Sequence, residues 1–458
     1  MNTLIVISVL PIVLLYLGLY KMQKALLPVT VVGLLVALGL AVGHWNDGAV
    51  PIFSGMMLFN NFSVVFSSVA IISTLLILLL SKDYFDRISS HVAEYYAVIL
   101  FSLAGIIVMV SYYNLSMLFI GIEIMSVSLY ILAGIKKRDF ASNEAALKYF
   151  LMGAFSTGFL LFGITLIYGA SGSFNLEEIR NWMSHDTHID WLSFTGMMLI
   201  LIGLCFKVGA APFHFWTPDV YEGSPTLITA FMSTVVKVAG FAAFYRLFSV
   251  SFGVANGFWI QPLSIIIILT LFVGNITALY QQSFKRMLAY SSISHAGYML
   301  FAIIALGGGS AVSVFVYGSA YSIASIIAFG ALILVQQQSG NDNFESFNGL
   351  GKSNPFLALV LTISMLSLAG IPLTAGFIGK FYMFSTAISK SLYWLTVLAV
   401  INAIISIFYY FRVIIAMYFR SSERTAVIVP GNYVFVFAIA AIATIVIGVY
   451  PDLISRLI

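Results

Sequence analysis

Charge is what this chain has least of. Asp, Glu, Lys and Arg make up 8% of its 458 residues, where about 25% is usual for a water-soluble domain. It has one cysteine, Cys205, which excludes an intrachain disulfide, a Cys-ligated iron–sulfur cluster and a cysteine zinc site within this chain. No Walker motif or dinucleotide fingerprint is present. Gly307-Gly-Gly309 lacks both a preceding strand and a following Lys-Ser/Thr, so it reads as a turn rather than a phosphate loop. The formal net charge is only +4, and no basic run carries interleaved aromatics, so nothing points to nucleic acid. The connections Ser171–Ser193 and Gln336–Asn354 are too short to be soluble domains. Any redox or ATP energy must come from a partner chain.

What fills the sequence instead is apolar: 61% hydrophobic and 15% aromatic residues, with mean hydropathy +1.04. This composition specifies an all-α polytopic membrane protein, whose partner along most of its surface is the lipid bilayer. A span needs about 20 mostly apolar residues. That ruler predicts fourteen: Leu4–Tyr20, Leu27–His44, Phe59–Ser81, Tyr95–Tyr112, Leu115–Ile135, Leu147–Ala170, Phe194–Phe215, Leu227–Phe248, Pro262–Tyr280, Met287–Leu306, Val312–Val335, Pro355–Phe384, Tyr393–Phe419 and Tyr433–Tyr450. No positive segment precedes Leu4–Tyr20, and Lys21 and Lys24 follow it, the reverse of a secretory signal. An outside N-terminus places 12 Lys and Arg in inside loops (Lys21, Lys24, Lys82, Arg87, Lys136, Lys137, Arg138, Lys285, Arg286, Lys352, Arg420, Arg424), 3 in outside segments and 6 within spans. The positive-inside rule asks for that bias, and both termini are expected outside.

Two spans are interrupted. Span seven carries Gly209-Ala-Ala-Pro212 and then Pro218; span twelve carries Ala369-Gly-Ile-Pro372. Proline removes a backbone donor and clashes with the preceding turn. Broken helices at membrane depth belong where they line a cavity, and paired breaks point to an inverted-repeat transporter. Two inverted five-helix repeats, spans 4–8 and 9–13, place both breaks fourth in their unit. The expected division is 1–92 (three helices), 93–250 (first repeat), 251–425 (second repeat) and 426–458 (last helix).

The few charges inside spans are the candidate site. Glu123, Lys207, Lys237 and Lys380 sit at membrane depth, where an unpaired charge costs roughly 2.5–3.5 kcal/mol on insertion scales. Three lysines and one glutamate cannot cancel as ion pairs, so a chain of proton-exchanging groups is the natural reading. For Glu123 the plain alternative is a neutral, hydrogen-bonded carboxyl; for the lysines it is snorkelling, least plausible for the central Lys237. Lys207 adjoins a break whose freed carbonyls and water can take its hydrogen bonds. His295, in Tyr290-Ser-Ser-Ile-Ser-His295-Ala-Gly-Tyr298, has an imidazole suited to relay or is a satisfied core histidine. Glu144 and Lys148 read first as a surface i,i+4 pair, with Lys148 also a proton-entry candidate. His214, at a span end, is a secondary candidate. Asp219 and Glu222 fall in an inner loop without Lys or Arg, a docking surface or a proton-collecting mouth. Arg246 and Arg412, near span ends, read as interfacial anchors.

Four runs resemble the antiporter-like subunit N (chain 2) family of respiratory complex I. They are Lys207-Val-Gly-Ala-Ala-Pro-Phe-His-Phe-Trp-Thr-Pro-Asp-Val-Tyr-Glu-Gly-Ser-Pro-Thr226, Asn143-Glu-Ala-Ala-Leu-Lys-Tyr-Phe-Leu-Met-Gly-Ala-Phe-Ser-Thr-Gly158, Gln282–Tyr298 and Leu368–Phe381. The last two are shared with sibling subunits L and M and with multisubunit cation/proton antiporters; the Pro218–Thr226 stretch is more specific. The resemblance implies fourteen spans, two inverted repeats and broken helices seven and twelve. It lays the family's glutamate on Glu123, its lysines on Lys207, Lys237 and Lys380, and its histidine on His295. It implies no long lateral helix after span fourteen and a bacterial inner-membrane setting. It also implies proton translocation within NADH:quinone oxidoreductase, with no cofactor or metal in this chain. NAD, FMN, iron–sulfur clusters and quinone would sit in partners: an antiporter-like sibling, small bridging subunits and a peripheral redox arm. The alternatives are a subunit of a Na⁺(K⁺)/H⁺ antiporter and a chain that merely bridges a membrane arm.

Overall fold

The computed structural model describes residues 1–82, 84–88, 91–185, 190–421 and 427–458. Arg424, one of the expected inside cations, and the 425/426 division lie outside the described residues. Apolar runs this long cannot leave backbone polar groups bare in hydrocarbon, and they coil into α1 (Asn2–Leu19), α2 (Gln23–Val42), α3 (Asn61–Leu79), α4 (Val92–Ser111), α5 (Leu115–Ala133), α6 (Phe140–Ser171), α7 (Leu176–His185), α8 (Trp191–Val208), α9 (Trp216–Gly223), α10 (Thr226–Phe231), α11 (Lys237–Val250), α12 (Asn256–Leu279), α13 (Phe284–Ile304), α14 (Ser310–Ser339), α15 (Leu350–Ser353), α16 (Pro355–Ala369), α17 (Ala375–Ser389), α18 (Tyr393–Phe419), α19 (Gly431–Val449) and α20 (Asp452–Ser455). A π-turn, Met232–Val236, joins α10 to α11 into one rod.

Among the described residues, thirteen helices are long and apolar enough to cross a membrane. The fourteenth expected span is α16 plus α17, each too short alone because the chain breaks between them. A small antiparallel hairpin, β1 (Val50–Ile52) with β2 (Met57–Phe59), joins α2 to α3 and was not foreseen.

The five-helix units pack alike. In the first, α4 lies on α5, α5 on α6, and α6 on the broken α8; in the second, α12 lies on α13, α13 on α14, and α14 on the broken α16–α17. The breaks also share a backbone. Gly209 (φ 73, ψ 38) and Gly370 (φ 83, ψ 41) both end their helix in the left-handed conformation, which costs a side-chain-bearing residue about 1–2 kcal/mol. In both, the N–H of the glycine and of the residue after it return to carbonyls of the last turn: Gly209 to Phe206 and Ala210 to Cys205, Gly370 and Ile371 to Leu366. This is the capping pattern of a helix stopped by glycine. The most enclosed helices, α10–α11, α13 and α14, form the spine against which both units bury; Lys237 lies on it, and α8 with Lys207 and α17 with Lys380 pack beside it.

Candidate functional site

Four close approaches set the intramembrane lysines side by side. Lys207, on the last turn of α8, donates to Ser126 Oγ on α5, one helical turn beyond Glu123. Next to it α8 meets α11: a methyl on Gly240 would stand 3.3 Å from Val208. Then α11 meets α14, where a methyl on Gly318 would stand 3.2 Å from Val238. Finally α14 meets α17, where a methyl on Gly379 would lie 2.5 Å from the Tyr317 ring. Lys207, Lys237 and Lys380 each sit within three residues of one of these crossings. They therefore follow one another across the fold rather than along a single helix.

Hydroxyls and an imidazole fill the space between the last two lysines. Lys237 is 4% exposed; its ammonium donates to Ser292 O at 2.6 Å and to Ser292 Oγ. The adjacent Ser291 hydroxyl bonds the Tyr410 hydroxyl, which is 2.9 Å from His295 Nε2. Nδ1 of the same ring is 2.7 Å from the Tyr317 hydroxyl. Tyr298 meets Tyr317 edge to face, and its ring faces the Lys380 ammonium at 5.0 Å. Lys380, 5% exposed, turns back to the break before it and donates to Leu368 O (3.2 Å) and Ala369 O (2.8 Å). The Tyr298 hydroxyl is buried here without a hydrogen-bonded protein partner, so this pocket has polar capacity for water.

The first unit is less continuous. Glu123 is half-buried, and its Oε1 is enclosed without a partner. Among the described residues no ion pair within 4 Å joins it to Lys207. No direct hydrogen bond among them links Lys207 to Lys237. The freed carbonyls beside Lys207 were expected to serve it; instead Phe206 O takes the Trp216 indole N–H at 3.0 Å. His214 is buried in the break, with Nδ1 unpaired and its ring against Phe215.

Three expectations about the remaining charges change. Glu144 and Lys148 form the i,i+4 pair at 2.8 Å, but Lys148 also holds Asp219 at 2.7 Å. Asp219 holds Arg286 at 3.2 Å, and Arg286 also pairs with Glu222. The loop without its own cations is thus neutralised from α6 and α13, which local sequence could not show. Burial works against the Asp219 carboxylate, but Lys148 and Arg286 outweigh it and hold its pKa below the ordinary value. Lys285, counted as a loop cation, is 4% exposed and donates to the carbonyls of Glu222 (2.8 Å) and Ser224 (2.5 Å) at the end of α9. Arg246 was expected to be an interfacial anchor and is not one. It is buried, donates to Ser63 Oγ (2.8 Å) and Asn60 Oδ1 (3.3 Å), and lies over Phe62. Arg412 does hold a helix end, donating to Gln281 O at 2.8 Å.

Sequence reading also missed the π-turn before Lys237. Such turns gather at functional sites, but Met-Ser-Thr-Val-Val carries no pattern that announces one. The hydroxyl-rich run around His295 was legible; its partners Tyr410 and Tyr317 were not.

The family model for the transmembrane region of NADH:quinone oxidoreductases and Mrp antiporters matches residues 112–406. A curated relative, NADH-quinone oxidoreductase subunit N of Flavobacterium psychrophilum, is 42% identical over the full length of both chains. This chain belongs to the NADH-quinone oxidoreductase subunit N family. A subunit N family member is expected to share the fold of complex I chains. It does: a chain of respiratory complex I from Thermus thermophilus, solved with bound aureothin, superposes with TM-score 0.84 at 32% identity, covering 99% of this chain and 98% of that one. A chain of the Mrp complex from Dietzia sp. DQ12-45-1b matches with TM-score 0.89 but 19% identity, over 99% of this chain and 95% of that one, which shows a common fold alone.

Proposed function

We propose that this subunit N family chain moves protons across a bacterial inner membrane as part of an assembled NADH:quinone oxidoreductase, with both termini outside. The observation that carries this is the succession Lys207, Lys237, His295, Lys380 across adjoining helices, joined between Lys237 and Lys380 by Ser292, Ser291, Tyr410, Tyr317 and Tyr298. Each ammonium is held by neutral oxygens, not by a carboxylate. Desolvation then opposes the charged form, and small changes in hydration or nearby charge shift a proton from one group to the next.

Protons enter from the inside near the Lys148–Asp219–Arg286 cluster, load Lys207, and pass through Lys237 and the His295 region to Lys380 for release outside. Glu123 tunes Lys207 through space, with Ser126 as the hydroxyl beside the ammonium. Glu144 positions Lys148. The driving energy comes from redox chemistry in partner subunits carrying NAD, FMN, iron–sulfur clusters and quinone, and reaches this chain as electrostatic changes at neighbouring membrane subunits. In the assembled enzyme, Lys207→Ala or Glu123→Ala is expected to lower proton pumping and coupled turnover; unchanged pumping with normal assembly would remove them from the path.

The family model also spans Mrp antiporters, which keeps a cation/proton antiporter reading in view. Full-length likeness to curated subunit N chains favours the oxidoreductase. Co-purification decides: flavin and iron–sulfur subunits accompany the chain in one case and only antiporter subunits in the other.

A further inference from the structure

A cavity of about 590 Å³ opens where α4 begins and α5 ends, lined by Arg87, His91, Lys136, Lys137, Arg138 and Asp139. Two of its charges are locally answered, His91 by Glu94 at 3.1 Å and Lys136 by Asp139 at 4.0 Å. Among the described residues, Arg87, Lys137 and Arg138 have no carboxylate within ion-pair distance. The cavity continues into a second of about 310 Å³ and shares His91, Tyr95, Ile135 and Lys137 with it. That second space runs between the two helices along Val98, Ile131 and Leu132. Ile131 is 57% exposed, so the crevice faces outward at hydrocarbon depth.

We propose that this composite cavity binds one anionic phospholipid, its phosphate among Arg87, Lys137 and Arg138 and an acyl chain in the α4–α5 crevice. Both halves of the ligand have a matching surface in the right order. The cations lie at the ends of two spans, where headgroups sit, and the apolar crevice leads from them toward the bilayer centre. Free phosphate would use the cations and leave the crevice without a role. An acidic segment of a neighbouring subunit would not need a groove that descends into hydrocarbon.

The test uses the assembled complex, washed in mild detergent, with retained phosphatidylglycerol counted by native mass spectrometry. The unmodified complex should retain the lipid against millimolar inorganic phosphate. The triple variant Arg87→Gln/Lys137→Gln/Arg138→Gln should hold it on the order of 100-fold more weakly, from about 1 kcal/mol per basic residue near a membrane surface. Val98→Trp, which fills the crevice and leaves every charge in place, should lose the lipid as well. Equal retention by the triple variant overturns the proposal. So does displacement by inorganic phosphate with Val98→Trp harmless, which marks an anion site only. Shedding of a neighbouring subunit by the triple variant with lipid unchanged marks a protein occupant and also overturns it. If the triple variant does not assemble, Val98→Trp decides alone: loss supports the site and full retention refutes it.

Discussion

The two broken helices have the same backbone and opposite chemistry. At Gly209 and Gly370 the last turn is closed by equivalent N–H bonds. Each break also offers carbonyl oxygens to side-chain donors, and each unit uses them differently. In the first, Trp216 supplies an indole N–H to Phe206 O, which frees Lys207 to face Ser126 on α5. In the second, Lys380 itself supplies the donors, to Leu368 and Ala369. Lys207 stands before its break and Lys380 after, so the lysines approach the same motif from opposite sides. A lysine with a neutral stand-in beside it is free for function alone. A lysine that also caps a helix end carries structure and function together.

Replacing each lysine by methionine breaks this comparison most sharply. Lys380→Met removes the donor to two buried carbonyls, which is expected to cost about 1–3 kcal/mol of stability as well as pumping. Lys207→Met should abolish the same share of pumping while leaving thermal stability nearly unchanged, because Phe206 O keeps its indole. Paired melting curves and pumping assays on the two variants check this; equal destabilisation would show the breaks to be equivalent after all.

Trp216→Phe removes the side-chain donor from the first break and leaves Phe206 O with the Gly209 N–H alone. It should cost about 1 kcal/mol for the lost neutral hydrogen bond, read as a lower melting temperature with Lys207 function largely kept. If pumping falls as far as in Lys207→Met, the tryptophan does more than cap.

Ser126→Ala should shift the pH profile of coupled turnover without preventing assembly, since it removes the hydroxyl that holds the Lys207 ammonium. The matching change beside Lys237, Ser292→Ala, leaves the Ser292 carbonyl in place and should shift the profile less. A profile unmoved by Ser126→Ala would detach Lys207 from α5.

The smallest effect is at the entry cluster. The Asp219 carboxyl has its pKa lowered on folding, so its ion pairs stabilise the fold above the ordinary carboxylate value near 4 and lose that contribution as pH falls through the lowered one. Asp219→Asn should therefore flatten the acid limb of stability below about pH 4, measured by thermal unfolding in detergent. An unchanged limb would mean that Lys148 and Arg286 contribute little there.

Sequence alone determined the spans, the two breaks, the isolation of Glu123, Lys207, Lys237 and Lys380 in apolar surroundings, and the bias of basic loops. These are local properties: a run of about 20 apolar residues, a Gly followed by Pro, a charge without a neighbour at i±4. Tertiary structure decided who holds each charge. Arg246 is clamped by residues more than 180 positions away, Asp219 by Lys148 and Arg286, and His295 by tyrosines of α14 and α18. A hydrogen bond is satisfied only at about 3 Å, and which helices come that close depends on how fourteen apolar rods pack. Their hydropathy makes each rod a membrane span, but it does not say which rod is its neighbour.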